Sequence, residues 1–273
     1  MKRAIRGSAA LVIGAVALLT LVVQLRSPSH QGDWQPVHSV LPRAEIDGDR
    51  LTVRNLRNFT YATGGEVREV RYEDRSFDLS GLNSLWYGLS HFAPFGLAHS
   101  FLSFGFADGR YLALSVEARL EKHQTYSPLL GLMRAYQLIY VAADERDVIG
   151  VRSHIRKEEV LLYKINVPPA GAKELLLIML ATMNDLHDRP RFYNTLLDNC
   201  TTNILRHAKQ LTSWDLYTDY RVFLPGYSDA LAYQLGAIAN GLPLAQTRDR
   251  ARIDRDVVAL DDPAFSRAIR NGQ

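Results

Sequence analysis

Apolar and polar residues alternate through the middle of the chain, a period that predicts strands. Leu51–Tyr61 (LTVRNLRNFTY) alternates over its length, and Val67–Asp78 does so more weakly. Ala98–Phe106 and Arg110–Arg119 flank an Ala-Asp-Gly turn. Ser100, Leu102, Phe104 and Phe106 share one side of the first arm; Leu112, Leu114, Val116 and Ala118 share one side of the second. Cross-strand partners share a face. A three-residue loop with Gly109 in the left-handed position then sets His99 opposite Glu117. A register shifted by two residues sets His99 opposite Arg119, with Glu117 diagonal. In both, His99 and Glu117 share the face away from that apolar set. Ala135–Ala142, Val148–Ile155 and Val160–Val167 read as further strands, with Asp144–Asp147 as a turn.

Helical spacing predicts the remaining elements. Leu82–Phe92 (LNSLWYGLSHF) has it and is closed by Pro94 and Gly96. Lys173–Leu186 (KELLLIMLATMNDL) is the strongest helix and follows Pro168, Pro169 and Gly171. Thr201–Leu211 is another, with Ile204, Leu205, Ala208 and Leu211 as its inner stripe. A short helix at Asp229–Ile238 and a charged tail from Arg248 to Arg255 complete the chain, and no internal repeat is seen. Strands, helix, strands, helix, helix is an α+β order rather than a doubly wound one.

The amino end follows neither period. From Ser8 to Leu25 there is no charge, after Lys2, Arg3 and Arg6. As a helix this run would reach about 27 Å, enough to cross a hydrocarbon core, with the N-terminus inside. A cleaved signal peptide is the competing reading, but the run leaves as Gln-Leu-Arg-Ser-Pro-Ser without an A-x-A site. The expected organisation is an anchor over 1–27, a Pro-containing linker over 28–48 and an extracytoplasmic domain over 49–273, held at the inner membrane by a single span.

Composition narrows the function. The chain has 273 residues, 47% hydrophobic and 22% charged, so it buries a core and is not disordered. Its formal net charge of +3 comes from interleaved signs, which gives nucleic-acid binding no support. Its single cysteine, Cys200, excludes an intramolecular disulfide scaffold. There is no H-E-x-x-H, zinc-ligand spacing, G-x-S-x-G, P-loop or dinucleotide fingerprint, so no metal or cofactor is expected.

Cys200 stands between Asn199 and the Thr201 helix. Unpaired N–H groups and the helix dipole at such a start favour a thiolate and can hold an oxyanion. With an imidazole at His99 and a carboxylate at Glu117, this is a nucleophile, base and orienter set, in papain-like form but with the histidine first. A lone cysteine is equally a small buried hydrophobe, a lone histidine a satisfied structural one, and Glu117 a partner for Arg119. His91 and His207 are weaker candidates; His207 lies two helical turns, roughly 10 Å, from Cys200.

At these residues the chain resembles a known family. AHSFLSFGF (98–106), LALSVEAR (112–119) and RFYNTLLDNCTTNIL (191–205), with VRNLRNFTY (53–61) and FLPGYSDALAYQLG (223–236), are similar to the Lnb N-terminal periplasmic domain family. The resemblance runs from about Trp34 to the C-terminus. It implies an α+β, permuted papain-like (NlpC- and LRAT-like) fold and kinship with a bacterial lipoprotein N-acyltransferase. By that similarity Cys200 would carry an acyl group as a thioester and His99 would move the proton. Tyr193, Asn194 and Asn199 fall in the cysteine motif as site liners. The expected partners are a lipid or lipoprotein substrate and the inner membrane. The alternatives are a cell-wall peptide amidase and a non-catalytic envelope-assembly module.

Overall fold

In a computed structural model, which describes residue 14 and residues 21–62, 64–210, 212, 219–238 and 241–270, alternating side chains feed two cores on opposite sides of one sheet. The strands are β1 (Arg43–Asp47), β2 (Arg50–Arg57), β3 (Thr60–Tyr61), β4 (Val67–Glu69), β5 (Tyr72–Asp78), β6 (Leu82–His91), β7 (Ala98–Phe106), β8 (Tyr111–Arg119), β9 (Gln137–Ala143), β10 (Glu159–Lys164) and β11 (Arg191–Phe192). The helices are α1 (Pro128–Leu132), α2 (Pro169–Asp188), α3 (Cys200–Ala208), α4 (Ser228–Gln234), α5 (Leu244–Ala251) and α6 (Phe265–Ala268), and a π-helix covers Arg146–Ile155.

Nine strands form the main sheet in the order β1-β2-β9-β8-β7-β6-β10, with β11 on β9 and β5 on β2. Its pairings are antiparallel except β2 with β9, which meet in parallel at Arg57 and Ala143. A separate pair joins β3 to β4. On one face Leu102, Phe104, Leu112 and Leu114 pack with Leu176, Met179 and Leu180 of α2 and Ile204 of α3. On the other, Phe101, Ala113, Ile139 and Leu162 pack with Val148 and Ile149 of the π-helix and with Val258, Phe265 and Ile269. The molecule is thus a mixed α+β fold, one large mixed sheet with helices packed on both sides.

This double covering corrects several expectations. The face of β7–β8 that carries His99 and Glu117, expected as the non-core face, borders the second core. Leu82–Phe92, expected as a helix, is strand β6, an interior strand between β7 and β10: both its faces are buried from Leu85 to Ser90, which erases the two-residue period. Val148–Ile155, expected as a strand, is helical, with Val148 and Ile149 packed in the core under the sheet while Arg152 Nη1 and Ser153 Oγ bond back to the Val148 and Ile149 carbonyls. The 28–48 segment is more than a linker: it supplies β1, and Trp34 bridges to Glu121. Part of the charged tail is α5. The hairpin register is the one that the three-residue loop requires, Leu102 facing Leu114 and Phe104 facing Leu112, with Gly109 at φ 80°. No helix among the described residues is long and apolar enough to cross a membrane; most of the expected anchor, and Leu211, lie outside those residues.

Candidate active site

The site begins where a ladder stops. β6 pairs with β7 as far as His91 and Ala98, and β8 pairs with β9 as far as Arg119 and Gln137. Between them, β7 and β8 pair only from Gly105 and Tyr111 to Phe101 and Ser115. Continued register would join His99 to Glu117, but there the strands part. A cavity of about 350 Å³ occupies the notch and draws on both faces: Ala98, Val116 and Ala118 from one, His99 and Glu117 from the other. Cys200 lines it from the start of α3.

Hydrogen bonding fixes the protons on the notch's polar wall. His99 Nε2 lies 2.6 Å from Ser115 Oγ, and Ser115 Oγ donates to Glu117 Oε1 at 2.8 Å. A hydroxyl has one proton to give. Since Ser115 gives it to the carboxylate, it accepts from His99 Nε2–H, and Nδ1 keeps the lone pair of a base. Glu117 Oε1 also accepts from Arg152 Nη2 at 3.1 Å. His38 accepts the Leu120 N–H at Nδ1, so its Nε2–H donates to Glu117 Oε2 at 3.3 Å.

The electrostatics follow from this packing. Burial pushes Glu117 up, but the His38 hydrogen bond and the Arg152 and Arg57 charges outweigh it and hold the carboxyl well below its usual value. Burial and the Arg152 charge also lower His99, to about 3, against the pull of Glu117. At neutral pH His99 is therefore an uncharged imidazole beside an ionised carboxylate. Behind them Arg57 is itself matched: its Nε meets both Asp147 oxygens at 3.0 Å, and Asp147 also accepts from Phe59 N–H and Tyr61 O–H.

The opposite wall is built by the helix cap. Asn199 Oδ1 accepts the Thr202 N–H at 2.8 Å and the Thr202 hydroxyl oxygen accepts the Asn199 N–H at 2.8 Å, a reciprocal capping box. The Cys200 and Thr201 N–H groups lie in the first turn, where a helix offers no internal partner. Thr201 Oγ1 meets Ser100 Oγ at 2.9 Å and so seats the helix on β7. Cys200 is buried at 4% exposure, and its Sγ has Thr201 Oγ1 at 3.9 Å as its hydrogen-bond neighbour; no hydrogen bond joins it to His99 in this resting geometry.

The other expected liners divide. Tyr193 lines the cavity, its hydroxyl 3.2 Å from that of Tyr126. Asn199 lines it too, but its amide is spent on the cap and on the Thr195 carbonyl. Asn194 does not line it: Oδ1 accepts the Leu196 and Leu197 N–H groups and holds the loop before α3. His207 is distant from the notch chemistry and bonds the Tyr140 hydroxyl at 2.6 Å. Sequence reasoning misses Ser115, Arg152 and His38. Among the described residues no cluster of His, Cys, Asp or Glu is placed to hold a metal ion.

The Lnb N-terminal periplasmic domain family matches this chain over residues 68–226, more than half its length, and the chain belongs to that family. The matched span contains His99, Ser115, Glu117 and Cys200. No curated protein and no solved structure matches the chain.

Proposed function

We propose that this member of the Lnb N-terminal periplasmic domain family is a cysteine-dependent acyl-transfer enzyme of the bacterial envelope, held at the inner membrane by its N-terminal segment. One observation carries the reading: at the opened end of the β7–β8 ladder, a single cavity is lined by Cys200, by His99 with a bare Nδ1, and by Glu117.

The proposed chemistry follows the permuted papain-like order, histidine strand first and cysteine helix second. His99 Nδ1 takes the Cys200 thiol proton, and Sγ attacks an ester carbonyl of a lipid. The Cys200 and Thr201 N–H groups receive the oxyanion. As the carbonyl re-forms, the C–O bond breaks and the leaving alkoxide takes the proton from His99. An amine of a lipoprotein, or water, then attacks the thioester, which frees the thiol. Glu117 meets the positive charge that His99 acquires through Ser115, 3.8 Å from Nε2. Hydrogen bonds of this kind commonly tighten only when substrate is bound.

An acyl ester is favoured over a peptide because, beside the charged wall, the cavity that Cys200 lines also has Leu97, Ala98, Val116 and Phe223 in its lining. A second cavity of about 680 Å³ follows α3 beyond Thr201, walled by Leu85, Leu102, Ile204 and Leu231. Its size is that of a small-molecule site.

Intact-mass spectrometry of the membrane-purified full chain tests this reading, with wild type beside Cys200→Ala. The expected result is a hydroxylamine-labile acyl adduct on wild type alone. An adduct formed only from cell-wall peptide would replace the lipid ester with a peptide amide. No adduct from either, on folded protein, would leave a non-catalytic envelope module.

A further inference from the structure

Among the exposed large apolar side chains, those of three segments adjoin. Phe92 and Phe95 lie in the β6–β7 loop, Leu129 and Leu130 on α1, and Leu196 and Leu197 in the loop before α3. Phe95 is 84% exposed, and Leu129 and Leu197 are each 67% exposed. Phe92 stacks edge-on against Tyr126, at the threshold of α1, with centroids 6.4 Å apart. Thr195 Oγ1 donates to the Pro128 carbonyl at 2.7 Å and ties the α3 loop to α1. Phe92, Pro128 and Thr195 all line the thiol cavity. The exposed side chains therefore form one rim around its mouth, whereas isolated exposed hydrophobics are ordinary on any protein.

The rim is held out rather than left out. Phe95 has φ 61°, a left-handed conformation rare for a bulky side chain, and Gly96 follows at φ 77°. A Cβ on Gly96 would lie 2.4 Å from the Tyr227 ring, so the loop is locked against Tyr227 with Phe95 at its tip. On the same side, Arg134, two residues past α1, donates to the Gln24 carbonyl at 3.1 Å. Gln24 is the next-to-last residue of the uncharged run of residues 8–25, whose end carries exposed Leu21, Val22 and Leu25.

We infer that this rim is a membrane-docking face, with Phe95, Leu129 and Leu197 inserted into the headgroup and upper acyl region of a phospholipid bilayer and the mouth of the thiol cavity against the lipid. A bilayer is the occupant because the apolar N-terminal run is tied to this face at Gln24; a run of that length entering a membrane sets the rim at its surface. The inference rests on the membrane placement of that run and not on thiol chemistry.

Site-directed probes test it in the full-length chain. Phe95→Cys, Leu129→Cys and Leu197→Cys are made one at a time with Cys200→Ser, labelled with an environment-sensitive fluorophore and reconstituted into phosphatidylethanolamine–phosphatidylglycerol vesicles. Ile46→Cys and Val257→Cys, on exposed residues away from the rim, are the controls. The expected result is a blue shift and at least a twofold quench by lipids brominated in the upper chain at the three rim positions, with none at the controls. A probe at Leu25→Cys reads the anchor separately. Quenching at position 25 without quenching at the rim would overturn the inference, since the domain would stand clear of the bilayer. Rim probes shielded from water but insensitive to brominated lipid would also overturn it, in favour of a protein partner or a second copy.

Discussion

Two carboxylates on the same side of the β7–β8 hairpin, Glu145 fully buried and Glu117 nearly so, have nearly the same partners and different consequences. Glu145 faces a bidentate Arg270, whose Nη1 and Nη2 donate at 2.9 and 2.6 Å, and accepts from Ser103. Glu117 faces Arg152 and accepts from Ser115. The first set is closed: Arg270 also lies over the Tyr111 ring at 3.6 Å and clamps the C-terminal segment to the sheet. The second has a histidine at each end and borders a cavity, because β7 and β8 part beside it. A buried ion pair is therefore no sign of a site in itself. The site comes from a titratable base and an opened strand ladder added to the pair.

The largest effect should come from the closed set. Arg270→Met leaves Glu145 buried without a cation and should cost about 3–5 kcal/mol of stability in denaturant unfolding. Turnover per folded molecule should stay unchanged. The open set should show the reverse with His99→Gln: acyl transfer falls by about 10²–10⁴-fold, while the thermal midpoint at neutral pH holds or rises. Comparable losses of stability and turnover in both variants would break the distinction.

Acid sharpens it further. His99 and His207 are held at about 3 and about 4, chiefly by burial, below the ordinary 6.5 that they regain on unfolding. The unfolded chain then binds more protons, so this stability is fully present above 6.5 and is lost as pH falls, towards 4 for His207 and towards 3 for His99. At pH 5.5 each histidine should account for about 1 kcal/mol. Thermal scans of wild type should fall between pH 7 and 5, and His99→Gln should fall less. The smallest effect belongs to the helix cap: Asn199→Ala should cost about 1 kcal/mol and slow native alkylation of Cys200 by loosening the first turn.

The hairpin was legible because a two-residue period and a glycine turn together determine its register, and that register puts His99 and Glu117 on one face. The helix start at Cys200 was legible from its place between Asn199 and the helical run from Thr201; that Asn199 closes a capping box with Thr202 was not read. β6 was not, because a strand buried on both faces loses its alternation. The π-helix was not, because a β-branched run reads as a strand until tertiary packing overrides its propensity. Arg152 and His38 reach Glu117 across 35 and 79 residues, a distance that no local pattern spans. A signal was present nonetheless. A lone arginine in VIGVRSHI and a lone glutamate in LALSVEAR each had to find a partner once buried.

Next to the notch, Cys200 should be a working thiol rather than a packed one. Cys200 is the chain's one cysteine, so alkylation of the native protein by iodoacetamide at pH 7.5, read by intact mass, reports on it alone. Native wild type should be modified at least tenfold faster than His99→Gln, and Arg270→Met should match wild type while folded. Modification only after denaturation, at one rate in all three proteins, would contradict the account and make Cys200 part of the core.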